Sequence, residues 1–232
     1  MSQNRLLFYL IAFISIIALI SFSLSPFFEV KNFVYNGLNV LVEEEISSII
    51  ETYNNANLLF LDHRNIEKEL VKLPYIKSVE IEKKYPDSII INIKEREPLA
   101  RIKNNGQFLS FTSSGFIVES TPGNLRVLVP EIKGFGYSLD NNYINFSSIL
   151  NELVQALKEL NKNTRSMIGT ILYKEDSITA TFNKIPIYLG SSSQLKEKFR
   201  ILQSITNKIK EEDLKVEYID LTLFKKPVIK LN

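Results

Sequence analysis

The sequence predicts an α+β protein hung from a single N-terminal transmembrane helix. A β-α-α-β-β unit follows the helix, and then a mainly antiparallel, curved β-sheet domain with flanking helices. Three observations carry this. No charged residue stands between Arg5 and Glu29, a stretch of 23 positions. Residues 28–97 then alternate a strand pattern, two helical patterns and two further strand patterns. Beyond Pro98 the chain cycles through short strands separated by turn residues such as Asn105-Gly106, with two longer helical patterns between them.

The first element is the anchor. About 20 predominantly apolar residues cross a hydrocarbon core as a helix, and residues 6–24 supply 19 positions, three of them serines. A cleavable signal peptide is the alternative. Ser23-Leu24-Ser25 offers small residues for a cleavage site, but Pro26 would follow the cut and disfavours it. Residues 6–27 are therefore expected to remain as a transmembrane helix, with residues 1–5 as a cytoplasmic tail. Arg5 and the amino terminus lie on the short side, so the positive-inside tendency places that end in the cytoplasm and the bulk of the chain outside it.

In the unit over 28–97, residues 28–35 read as a strand and Asn36-Gly37 as a turn. Glu43, Glu44 and Glu45 open a helix, where carboxylates favour the positive end of the macrodipole. Consecutive helix positions point in different directions, so this triplet does not converge on one substrate. Ile46, Ile49, Ile50 and Tyr53 form the helix's apolar face. Asp62 is a good N-cap for a second helix, whose Ile66, Leu70 and Leu73 share a face before Pro74. Val79 and Ile81 alternate with Glu80 and Glu82, Tyr85-Pro86-Asp87-Ser88 reverses the chain, and Ile89, Ile91 and Ile93 line the return strand. His63 has no second histidine or any cysteine to join it and reads as a surface residue.

In the unit over 98–232, strands are expected at 99–102, 108–111, 116–118, 168–173, 178–182, 185–189, 216–221 and 228–231. Helices are expected around Leu150, Leu153 and Leu157, and around Phe199, Leu202 and Ile205. The stretch 120–145, with two prolines and three glycines, reads as irregular.

Composition excludes several chemistries. With 28 Lys+Arg against 26 Asp+Glu the net charge is +2, against an electrostatically driven nucleic-acid binder. The mean hydropathy of +0.00 averages an apolar anchor with a more polar remainder. Charge is uneven too: +1 through residue 27, −4 over 28–97 and +5 over 98–232. Zero cysteines remove disulfides, thiolate zinc sites, iron–sulfur clusters and thiol nucleophiles. Gly134-Phe135-Gly136 lacks the third glycine of a dinucleotide loop. Glu211-Glu212-Asp213 reads as a solvated turn, and the sequon Asn145-Phe146-Ser147 as a chance match. No catalytic residue, cofactor, metal or small-molecule substrate is expected, and the protein is not expected to be an enzyme.

Four stretches together resemble one family: VKNFVYNGLN; NLLFLDHRNIEKELVKLPYIKSVEIEKKYPDSIIINIKEREPLA; GQFLSFTSSGFIVES; and VPEIKGF. In order and spacing behind one anchor, they resemble the FtsQ/DivIB family of bacterial cell division proteins, whose first extracytoplasmic unit is a POTRA domain. One departure is Val42, where a capping hydroxyl often stands. The resemblance implies a non-enzymatic, bitopic divisome scaffold in the cytoplasmic membrane at the septum, regulating septal peptidoglycan synthesis. It implies partners of the FtsB/DivIC and FtsL type, which add a strand to the terminal sheet edge. The matching positions are Phe224, Lys225, Lys226, Val228, Ile229, Lys230 and Leu231. The family often carries Arg where this chain has Thr222, and the terminal strand expected before Asn232 is short. Lys225-Lys226-Pro227 also fits simple protection of an edge against aggregation. Two other readings stand beside it: a POTRA protein of outer-membrane biogenesis or protein transport, which would continue into a large barrel, and an anchored cell-wall enzyme.

Overall fold

The computed structural model describes residues 3–231. Met1 and Ser2 of the expected cytoplasmic tail, and Asn232, lie outside the described residues. Two compact units divide between Glu95 and Arg96.

The first unit begins with helix α1 (Gln3–Ser23), so the last three residues of the expected tail are helical. Its stretch Arg5–Ser23 has mean hydropathy 2.6 and is nowhere buried, as a helix sheathed by lipid rather than protein should be. A turn at Pro26–Phe28 replaces the expected start of the first strand, and β1 (Asn32–Asn36) begins later. Pro26 explains the shift, because its fixed φ suits the first position of a helical turn. Helices α2 (Glu43–Ile50) and α3 (His63–Leu70) follow, then β2 (Ile76–Lys84) and β3 (Ser88–Glu95). The sheet order is β1-β3-β2, with β1 parallel and β2 antiparallel to the central β3. Period-two burial along β3 puts Ile89, Ile91 and Ile93 into the core with Ile46, Ile50, Ile66 and Leu70 from the helices.

Local chemistry holds the connections. Asp62 caps α3, accepting from Arg64 N–H at 3.1 Å. At α2 the capping hydroxyl is missing, and instead the Glu45 carboxylate accepts from the Val42 N–H at 3.4 Å. Gly37 has φ +84°, and a Cβ there would stand 2.0 Å from the Ile93 carbonyl oxygen. Only glycine allows that approach.

The second unit contains a sheet with order β14-β13-β12-β11-β10-β7-β4-β5-β6. Its strands are β4 (Ala100–Asn104), β5 (Gln107–Phe111), β6 (Ile117–Thr121), β7 (Glu131–Lys133), β10 (Ile168–Lys174), β11 (Ser177–Phe182), β12 (Ile185–Gly190), β13 (Val216–Asp220) and β14 (Val228–Leu231). A separate hairpin pairs β8 (Tyr137–Asp140) with β9 (Tyr143–Phe146). Most neighbours are antiparallel hairpins, but β7 runs parallel to both β4 and β10, and β12 parallel to β13. The stretch 120–145 is thus less irregular than expected, holding β7, β8 and β9. Helices α4 (Ser148–Glu159) and α6 (Leu195–Glu211) pack together over one core with the inward residues of the sheet. Phe199 and Leu202 of α6 are fully buried against Ile187, Leu189 and Ile219, each such side chain contributing about 1.5–3 kcal/mol. The short α5 (Lys162–Met167) carries Arg165, whose buried guanidinium donates to the Glu97 carboxylate.

Candidate functional site

The terminal edge of the large sheet is built by a crossover. Helix α6 carries the chain from β12 to β13, which lies parallel to β12, with Ile187 opposite Ile219. A turn at 222–226 then reverses it, and β14 pairs antiparallel with β13. Since β14 has a neighbour on one side only, it ends the sheet.

The seven residues singled out from the sequence fall in two places. Phe224, Lys225 and Lys226 lie in the turn, whose Lys226 N–H donates to Leu223 O at 2.8 Å. The Lys225 ammonium sits 5.9 Å from the centre of the Phe224 ring. Val228, Ile229, Lys230 and Leu231 constitute β14, and all four are exposed. Residues paired across an antiparallel ladder share a face. Ile229 therefore stands beside buried Ile219, and Leu231 beside buried Val216. Val228 and Lys230 stand on the opposite face beside Asp220 and Tyr218.

Lys230 is held on that face. Its Nζ donates to Glu217 at 2.9 Å and lies 5.8 Å from the Tyr218 ring centre. The hydrogen bond to Glu217, with that carboxylate's charge, moves the Lys230 pKa up from the ordinary lysine value. Tyr218 in turn meets Tyr188 edge-on, with ring centroids 5.8 Å apart. Thr222 N–H donates to Asp220 Oδ1 at 2.8 Å, closing the turn at the end of β13. Gly190 makes room for it, since a Cβ there would sit 3.0 Å from Thr222 Cγ2.

The opposite end of this sheet differs. Edge strand β6 is partly covered, because Ile117 N–H donates to Asn142 O at 2.8 Å and Phe116 bridges Tyr143. Among the described residues no strand or hairpin covers the outer side of β14. Tyr188 and Tyr218, absent from the sequence-based set, belong to this face. Alternation with Ile187 and Leu189 was the signal for Tyr188, but Tyr218 turns away from the core only through a register shift between Val216 and Tyr218, which alternation counted from Val216 does not show.

Among the described residues no group of three or more His, Cys, Asp or Glu side chains is placed to hold a metal ion.

Fold and edge together define the class: an α+β protein with one membrane-length apolar helix, a β-α-α-β-β unit and a larger sheet that ends on an exposed strand. Residues 28–96 match the model for the FtsQ-type POTRA domain, and residues 100–222 match the C-terminal domain of cell division protein FtsQ/DivIB. The chain belongs to the FtsQ/DivIB family of cell division proteins. Its relatives include the cell division protein DivIB of Clostridium tetani, 25% identical over 228 residues, which are 94% of this chain and 85% of that one. The cell division protein FtsQ of Syntrophotalea carbinolica is 22% identical over 219 residues, 90% of this chain and 76% of its own length. A solved structure of the major extracytoplasmic domain of DivIB from Geobacillus stearothermophilus is 17% identical, covers 51% of this chain and 97% of that chain, and superposes with a TM-score of 0.37. The matched relatives carry names of cell division proteins rather than enzymes.

Proposed function

We propose that this protein is a non-enzymatic, bitopic scaffold of the divisome, recruiting FtsB/DivIC-type and FtsL-type partners and thereby regulating septal peptidoglycan synthesis. Residues 6–27 hold it in the cytoplasmic membrane at the septum, residues 1–5 remain in the cytoplasm, and the POTRA domain (28–97) and β domain (98–232) lie outside. Its mechanism is addition of a partner strand to β14, with no covalent bond made or broken. The observation that supports this is an edge strand whose four residues are all exposed beside a well-packed sheet. Such an edge offers unpaired N–H and C=O groups to an extended peptide, whose side chains then select the partner. The side chains of β14 ask for a strand with apolar residues meeting Ile229 and Leu231 and a tolerant face towards Val228 and Lys230. Lys225 and Lys226 at the turn favour acidic residues at the strand's end.

The test is co-purification of the full chain with its FtsB-type partner. Proline placed in turn at Val228, Ile229 and Lys230 removes inward and outward N–H groups alternately. At least one of these, and Ile229→Glu, should abolish co-purification. Because Ile229 and Val228 are 36% and 52% exposed, the glutamate variant should lose about 1 kcal/mol or less of stability. Retained binding by every variant rejects strand addition at this edge. Hydrolase or transferase activity of the purified chain on cell-wall precursors would instead return the enzyme reading.

A further inference from the structure

We propose that the end of the POTRA unit nearest the anchor is itself a membrane-docking surface, which rests on the lipid headgroups and sets the unit's tilt. This goes beyond strand addition but rests on reading α1 as the membrane span.

The geometry brings three segments to that end. The last turn of α1 is tied to the loop before α3, since Asn57 Nδ2 donates to Ser23 O at 2.7 Å and Leu58 N–H donates to Phe28 O at 2.7 Å. Val30 N–H reaches Ala56 O at 2.9 Å, so the exit from the helix and this loop run together. The β2–β3 hairpin tip joins them, because Lys31 N–H donates to Asp87 O at 2.9 Å. Lys83 Nζ, 3.5 Å from Leu59 O, links the tip to the loop.

These segments expose the side chains that favour a membrane interface. Phe27, Phe60 and Tyr85 are 55%, 67% and 55% exposed. Phe27 also stacks on Phe22 at the end of α1, with centroids 5.7 Å apart, so the aromatic surface continues from the helix. Exposed phenylalanines bury into the boundary between headgroups and acyl chains, and tyrosine settles at the headgroup level with its hydroxyl in water. Lys31, Lys83 and Lys84 lie on two of these segments and are balanced by the carboxylates of Glu29, Asp62 and Asp87, so the patch is close to neutral. Docking therefore rests on the exposed rings, with no net charge to hold the patch away from the membrane. At the far end of the unit, where β2 begins and β3 ends, Tyr75 is buried and none of the described residues exposes an aromatic ring.

The chain contains no tryptophan, so single introduced tryptophans report their surroundings without background. Full-length Phe60→Trp and Tyr85→Trp proteins are reconstituted in vesicles of phosphatidylethanolamine and phosphatidylglycerol and quenched from either side. Lipids carrying a spin label near the headgroup quench from the membrane, and iodide quenches from water. Val71→Trp, 41% exposed at the far end, is the aqueous reference, and Phe13→Trp, with a label deep in the acyl chain, reports the span. Docking predicts strong shallow-lipid quenching at 60 and 85, and iodide quenching there severalfold weaker than at 71. Positions 60 and 85 behaving like 71 while 13 is quenched by the deep label would overturn docking and leave the anchor standing. No deep quenching at 13 would overturn both. Circular dichroism matching the unsubstituted chain qualifies each variant for the comparison.

Discussion

Glu95 ends β3 inside the motif Lys94-Glu95-Arg96-Glu97-Pro98, and its carboxylate gathers three backbone donors. Oε1 accepts from Asn39 N–H at 3.1 Å and from Leu41 N–H at 3.0 Å, and Oε2 from Val40 N–H at 2.9 Å. Through them it pins the 38–42 connection between β1 and α2 to the far side of the sheet. Hydrogen bonds to a charged group are worth about 1.5–3 kcal/mol each when partly desolvated, less when exposed. Two of the three donors are part-buried. Glu95→Ala should therefore cost about 2–4 kcal/mol, most of it from N–H groups left without an acceptor. Glu95→Gln keeps a carbonyl acceptor and should cost about half as much. Native-state hydrogen exchange on the full chain in detergent reads the effect directly: the amides of Asn39, Val40 and Leu41 should exchange far faster in the alanine variant, with the glutamine variant between. Unchanged exchange at those amides, with an unchanged melting temperature, would refute the assignment.

Two further outcomes follow from single contacts. Gly37→Ala forces a left-handed backbone on a residue with a Cβ that meets Ile93 O, and should lower stability by at least about 1–3 kcal/mol, measured by thermal denaturation; an unchanged midpoint would contradict the close approach. Lys198 of α6 is buried, with Nζ donating to Leu189 O at 2.7 Å and Ser191 O at 2.9 Å, and burial pushes its pKa below the ordinary 10.5. Between that lowered value and 10.5 the folded chain binds fewer protons than the unfolded chain, so Lys198 makes stability rise with pH through that window. Tyr35, whose pKa is raised by burial and then by Glu43 and Glu51, acts oppositely above pH 10. The difference between wild-type and Lys198→Met denaturation curves isolates the lysine, and a difference that does not change with pH would contradict its buried charge.

The POTRA unit was readable because its strands are long and strictly alternating, as in Ile89, Ile91 and Ile93, and because Asp62 marks a helix start by itself. Three strands in 120–145 escaped for a physical reason. Strand β7 has only three residues, too few for a period to show, and its place between β4 and β10 is set by partners distant in sequence. The helix α5, Lys162–Met167, has no apolar stripe, and only its Asn161 cap announces it, accepting from Thr164 N–H at 2.8 Å. Glu95 was visible only as part of a motif, because its partners lie more than fifty residues earlier. The candidate edge was the least readable feature. Residues 228–231 look like any short strand, and that they end a sheet follows from the parallel β12–β13 pairing across α6. Resemblance to a family, rather than periodicity, singled them out.

Strand addition makes one demand that no other mode of recruitment shares. Hydrogen exchange of β14 is followed in the full chain, alone and with its FtsB-type partner. Alone, alternate amides of β14 face water and should exchange fast, while those bonded to β13 are slower. With the partner bound, the fast amides among 228–231 should become protected in that same alternation, because each gains a carbonyl acceptor from the added strand. A partner that binds while the outward amides of β14 continue to exchange as fast as in the free chain would contradict recruitment through this edge.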